Sequence, residues 1–217
     1  MIRQMVGAIC LSALLPCYGY ASALTKDDVV AVMDFGTRPG ASTYEINLNN
    51  AEYASSECMI ASLVNKHWFQ VMDKDLVMNQ LKAEQLNTTG LIDPDTAKRI
   101  GEILHTRYII YGNVANVSVS DTGAEVMGGF GAGLKINICT VRAHIIARVM
   151  DVETGDILMA VRGEGSSKSS FINIKAGHTK ENAKVLQLGT QNVTMDSVYN
   201  AIAKAADDIA GKMEKQA

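Results

Sequence analysis

Four histidines are the first residues to test for chemistry: His67, His105, His144 and His178. None forms an i,i+4 pair and none stands near a paired C-x-x-C, so the spacing needed to hold a metal is missing. Ser166, Ser167, Ser169 and Ser170 lack the G-x-S-x-G elbow that would present a nucleophile. Gly36, Pro39 and Gly40 lie in a turn-rich stretch, but no Lys-Ser/Thr and no immediate helix follow, which argues against a phosphate cradle. The run GGFGAG leads into a strand pattern rather than a helix, so it reads as a hairpin tip and not as a dinucleotide turn. Its candidate tip residues are Gly128, Gly129, Phe130, Gly131 and Gly133. Asp34 ends an apolar strand and could face a crevice there, although a capped or solvated aspartate is the simpler reading. No carboxylate lies in an apolar stretch of the kind that shifts a pKa. What remains is the alternating set Arg142, His144 and Arg148, a candidate face for an acidic partner, or else a solvated sheet face. No catalytic residue, metal ligand or cofactor is expected.

The elements that must position that set are easier to read. From Cys139 to Val149 every second residue is small or apolar, with Thr140, Arg142, His144, Ile146 and Arg148 between them. This is the period-2 pattern of a half-buried strand. Asp151 to Gly155 closes a hairpin, with Gly155 supplying a positive φ, and a second strand starts at Asp156. Upstream, Val29 to Phe35 is a near-continuous apolar run, as in a strand covered on both faces. Asn50 caps a helix through Lys66 whose inner face carries Met59, Ile60, Leu63 and Val64. Trp68 to Met72 reads as a short strand. Helices follow from Asp75 to Leu86, with Leu76, Val77, Gln80, Leu81 and Glu84 at helical spacing, and from Pro94 to His105 behind an Asp93 cap. The next strand is expected to begin with Arg107 to Gly112 and to be extended by Val114 to Ser120. Gly163 to Gln191 is polar and reads as an excursion with little to bury. Met195, Val198, Ile202, Ala205, Ala206, Ile209 and Met213 then mark a C-terminal amphipathic helix. The expected fold is a single α/β domain, a mixed β-sheet flanked by helices around a long central β-hairpin.

Composition bounds the function. A chain of 217 residues, 47% hydrophobic, can bury one sizeable core. A formal net charge of −3 gives no reason to expect nucleic acid as a partner. Residues 1–23 read as a signal peptide: Arg3, an apolar run from Met5 to Leu15, and the small-x-small triplet Ala21-Ser22-Ala23. The mature chain would then run from 24 to 217, and the protein would be periplasmic. Pro16 before Cys17 makes lipidation there a disfavoured alternative. Cys58 and Cys139 would survive cleavage. An oxidising compartment allows a bridge between them, but Cys139 lies on the apolar face of the strand and Cys58 on a helix, and two buried small hydrophobes is the preferred reading.

Three segments in succession carry a family resemblance. LVNKHWFQVMDKDLVMNQLKAEQL (63–86) resembles the helix–strand–helix of the curli production assembly/transport component family. AKRIGEILHTRYIIYGNV (97–114) is similar to that family's helix leading into a Y-I-I-x-G strand, and ARVMDVETGDIL (147–158) to its R-V-V-D-V-x-T-G-E-I-L hairpin. The resemblance implies a periplasmic α/β domain of Gram-negative-type envelopes with no enzymatic activity. The family's founding members are oligomeric outer-membrane secretion lipoproteins for amyloid-fibre subunits, and related domains occur in lipoprotein activators of penicillin-binding proteins. The implied role is a component of an envelope assembly or secretion system. Its partners would be envelope proteins or copies of itself, with contact to the outer membrane left open. The alternative is an oligomeric outer-membrane channel subunit, which needs two membrane hairpins. Val117, Val119, Leu134, Ile136 and Ile138 supply part of one. In the second position only Ser170, Ile172, Ile174 and Ala176 alternate, and Lys168, Lys175 and Lys180 weigh against it.

Overall fold

The computed structural model describes residues 24–37, 51–86, 92–127, 133–176, 184–188 and 195–216. Among them, seven strands form one mixed sheet: β1 (Val29–Val32), β2 (Gly36–Thr37), β3 (Gln70–Val71), β4 (Tyr108–Met127), β5 (Gly133–Asp151), β6 (Ile157–Ala176) and β7 (Lys184–Leu188). Their order is β3-β1-β4-β5-β6-β7, with β2 also paired to β4. The first three strands pair parallel to their neighbours, and β4 to β7 pair antiparallel. The four helices are α1 (Ala51–Asn65), α2 (Lys74–Ala83), α3 (Pro94–Leu104) and α4 (Met195–Gln216).

Both faces of the sheet are covered near β1, which explains the unbroken apolar run there. On one face α1 and α4 enclose Val30, Val32, Phe35, Val141, Ala143, Ile145, Ala147 and Val149. On the other, α2 and α3 enclose Ala31, Met33, Ile109, Tyr111, Met150 and Val152. The alternation along β5 is borne out, and so are all the described inward positions of α4. Asp93 caps α3 by accepting from Thr96 N at 3.0 Å, and His105 closes that helix in the left-handed conformation. Gly155 has the positive φ of 78° expected at the hairpin turn. Four positions differ by being exposed: Val29 at the start of β1, and Val64, Leu76 and Glu84, because α1 and α2 each bury a narrower stripe than their pattern suggests.

The larger difference concerns the excursion expected at 163–191. Its first fourteen residues, Gly163 to Ala176, continue β6 in unbroken register with β5, and Lys184–Leu188 form β7. The inward positions of β6 here are Gly163, Gly165 and Ser167, all buried. Burial is achieved by close approach instead of by apolar bulk: a Cβ on Gly163 would collide with Ala205 O, and one on Gly165 with Ala201 O. The expected hairpin tip also narrows, since β4 runs to Met127 and β5 begins at Gly133.

Candidate functional site

Arg142, His144 and Arg148 do share one face of β5, the face turned away from α4. The register adds residues that sequence reasoning had not joined to them. Glu164 lies opposite His144, Arg162 opposite Ile146, and Lys168 opposite Thr140, while Ser118 and Ser120 of β4 complete the rows. Arg142 Nη1 donates to Ser120 Oγ at 3.2 Å. Arg162 Nη2 is 3.0 Å from His144 Nδ1, and Glu164 Oε1 is within 3.4 Å of His144 and 3.5 Å of Arg162. Arg148 lies 6.0 Å from the centroid of the Tyr111 ring. Burial pushes the Tyr111 phenol up while that guanidinium pulls it down, and burial wins. Among the described residues, Arg142, Arg148 and Lys168 have no carboxylate within ion-pair distance. The face is therefore cationic in a chain of net negative charge.

Toward the hairpin ends the same face changes character. Cα partners in an antiparallel ladder share a face. Thr122, Ile138 and Ser170 make one row; Ala124, Ile136, Ile172 and Leu188 the next; Val126, Leu134, Ile174 and Leu186 the third. Ile136 and Ile138 are 37% and 40% exposed. Positions on the opposite face include Glu125, Lys135, Asn137, Asn173 and Lys175. Lys175, which counted against a second hairpin in the sequence, pairs with Gly133 in the ladder. Gly133 opens β5 opposite Met127, whereas Gly128, Gly129, Phe130 and Gly131 lie outside the described residues, as does Lys180.

Past Val161 the open edge of β6 is held by α4 side chains. Lys212 Nζ donates to Arg162 O at 2.8 Å, Asp208 Oδ2 accepts from Glu164 N at 3.0 Å, and Lys204 Nζ donates to Ser166 O at 2.9 Å. These contacts occupy backbone groups that would otherwise template another strand.

A second charged cluster was not foreseen. Asp34 is neither capped by backbone nor simply solvated; Lys74 Nζ, 7% exposed, sits 3.0 Å from its Oδ1. The same ammonium donates to Ser56 Oγ at 2.5 Å, approaches Glu57 Oε1 at 3.3 Å and lies 3.6 Å from the Tyr53 ring centroid. A Ser–Lys pair beside a cleft of about 390 Å³ invites a nucleophile–base reading. The hydrogen-bond direction speaks against it. The lysine donates to the serine, Ser56 is fully buried, and its hydroxyl is turned toward Tyr53 O at 2.9 Å and Asp34 Oδ1 at 3.1 Å. This is a clamp joining the segment just after β1 to α1 and α2. Its only sequence signal is a lysine at the first position of a helix, where a cation is disfavoured by the helix dipole.

Cys58 and Cys139 are free and buried, and burial pushes both thiols up. Among the described residues, no group of three or more His, Cys, Asp or Glu could hold a metal ion. No described helix is long and apolar enough to cross a membrane.

The family model described as curli production assembly/transport component CsgG matches residues 19–217. No curated protein matches. Among solved structures, the LpoB C-terminal domain from Salmonella enterica is 17% identical with a TM-score of 0.42, covering 66% of this chain and 86% of its own. Lipoprotein GNA1162 from Neisseria meningitidis is 14% identical, with a TM-score of 0.43 over 65% and 83% of the two chains. The hypothetical protein CT253 from Chlamydia trachomatis is 12% identical, with a TM-score of 0.45 over 88% and 95%. At such scores these likenesses carry no functional argument.

Proposed function

Because the chain belongs to the curli production assembly/transport component family, we propose that it is a non-enzymatic periplasmic component of an envelope assembly or secretion system. It acts through contacts with other envelope proteins or with copies of itself. One observation carries the reading. Strands β4, β5 and β6 have 19 or 20 residues each, whereas the helix lying on β5 and β6 has 22. At about 3.4 Å per strand residue and 1.5 Å per helix residue, the strands run roughly 65 Å and the helix roughly 33 Å. About half of the strand length is therefore built without that helix layer, and it carries the exposed Ile136 and Ile138. Such a surface marks a place of contact. The signal-like N-terminus, Arg3 with Met5 to Leu15 and Ala21-Ser22-Ala23, supports export.

A second reading, an oligomeric outer-membrane channel subunit, is favoured by the register of the two hairpins. The ladder runs unbroken from β4 through β5 and β6 to β7, the pairing that adjacent barrel hairpins need. Depth counts against it. Three rows spaced by two residues cover roughly 14 Å along the strands, against an apolar band of about 25 Å in outer-membrane barrels.

Light scattering on the processed chain without detergent separates the two. A soluble monomer, or a defined complex with an envelope protein, is expected. A ring recovered only in detergent would overturn the adaptor and leave the channel.

A further inference from the structure

We infer that the sheet face opposite α4 is a docking surface for an anionic phospholipid bilayer, with Ile136 and Ile138 at the acyl boundary and Arg142, Arg148, Arg162 and Lys168 over headgroup phosphates. This goes beyond the assembly role and does not require the hairpins to span. Two observations converge on it. The face is apolar toward the hairpin ends and cationic behind them, in consecutive rows of one ladder. On this face Glu164 pairs with His144 and Arg162, while among the described residues Arg142, Arg148 and Lys168 have no carboxylate within ion-pair distance.

An interfacial element needs this arrangement: an apolar surface sunk about 5–10 Å, bordered by Lys or Arg at headgroup level. Long cationic side chains suit that border, since their stems can lie on apolar surface while the charge reaches phosphate. An acidic peptide would use the cations alone and would leave Ile136 and Ile138 in water; a bilayer accounts for both. The chain's net charge of −3 does not oppose docking, because charges beyond the Debye length of about 8 Å are largely screened and the local band decides. Lying against the surface also avoids placing the open edges of the sheet in hydrocarbon, where unpaired backbone groups cannot be satisfied. Helices α2 and α3 stand on the same face around Ile109, Tyr111 and Met150, so the sheet meets the bilayer at a slope, hairpin ends first.

The test is flotation of the processed chain with vesicles of phosphatidylcholine, alone or with phosphatidylglycerol added. Binding to the anionic vesicles only, falling steeply as salt rises, is expected. Arg142→Glu with Arg148→Glu should lower partitioning by roughly thirtyfold or more, and Ile136→Ser with Ile138→Ser should weaken it again. Circular dichroism confirms that the variants fold, and the salt dependence of the unaltered chain needs no variant. Equal binding to neutral vesicles, no binding, indifference to charge reversal (as an acyl anchor at Cys17 would give) or release of a trapped dye would each overturn the proposal. Light scattering reads the assembly state separately, so vesicle binding can fail while the assembly role stands.

Discussion

Removing the Lys74 ammonium would leave Asp34 and Glu57 without the cation they share, at a site where the lysine side chain is almost fully buried. Breaking such a pair from one side costs more than the pair is worth, typically about 3–5 kcal/mol for a fully buried one. Asp34 and Glu57 keep some access to solvent, so Lys74→Met should cost about 3 kcal/mol in denaturant unfolding, the lower end of that range. Adding Asp34→Asn should recover part of the loss, since contacting residues do not add. Asp151 sets a pH dependence at the same scale. Burial pushes its carboxyl up, but Arg107 at 2.8 and 2.9 Å and the Glu153 N–H at 2.9 Å outweigh that and hold it below the usual carboxylate range. A depressed folded pKa contributes stability that is complete above the unfolded value, about 3.9, and is lost as pH falls through the folded one. Urea midpoints measured from pH 7 downward should therefore fall in acid, and Asp151→Asn should be less stable at pH 7 and flatter with pH. Neither residue announced itself in the sequence. Lys74 depends on a side chain from another helix, and Asp151 on an arginine 44 positions away, so their environments exist only once the sheet has formed.

Among the elements, β5 and α4 were legible because their burial is apolar and periodic. The continuation of β6 was not, because its inward positions are Gly163, Gly165 and Ser167. A strand that buries glycine under a helix leaves no hydrophobic trace; its signal is the spacing of small residues on two elements at once, here with Ala201 and Ala205. β7 escaped for a different reason, being five residues within a polar context. The close approach makes a sharp prediction. Gly165→Ala places a methyl against Ala201 O and Ala205 N, and Gly163→Ala against Ala205 O, backbone groups that cannot swing aside. Each should destabilise by about 1–3 kcal/mol, the usual cost of overpacking. Ser166→Ala, exposed on the other side of the same strand, should change the unfolding midpoint little. Equal effects at the two faces would mean that α4 does not rest on β6 as described.

For the whole molecule, the question is whether the hairpin extension belongs to the stability of the domain or to its contacts. Both core clusters end before it: along β4 the last fully buried residue is Val117, along β5 the cluster stops at Val141, and along β6 at Val161. The extension adds a paired ladder but, among the described side chains, no core. Thr122 and Ile138 are direct cross-strand partners, a pair that a two-residue Asn-Gly turn can join. Replacing residues 123–137 by that turn should leave the thermal midpoint nearly unchanged, with a free-energy difference of about 1 kcal/mol or less, because surface changes remote from a core rarely cost more. The same variant removes Ile136 and the β4 and β5 members of the two rows in which apolar positions predominate, so any partner or bilayer contact made through them should be lost. A domain that melts normally but no longer enters its complex or binds vesicles would assign the extension to contact. Loss of cooperative unfolding would instead make the extension part of the folding unit, and the length that the strands gain over α4 would have to be explained by stability.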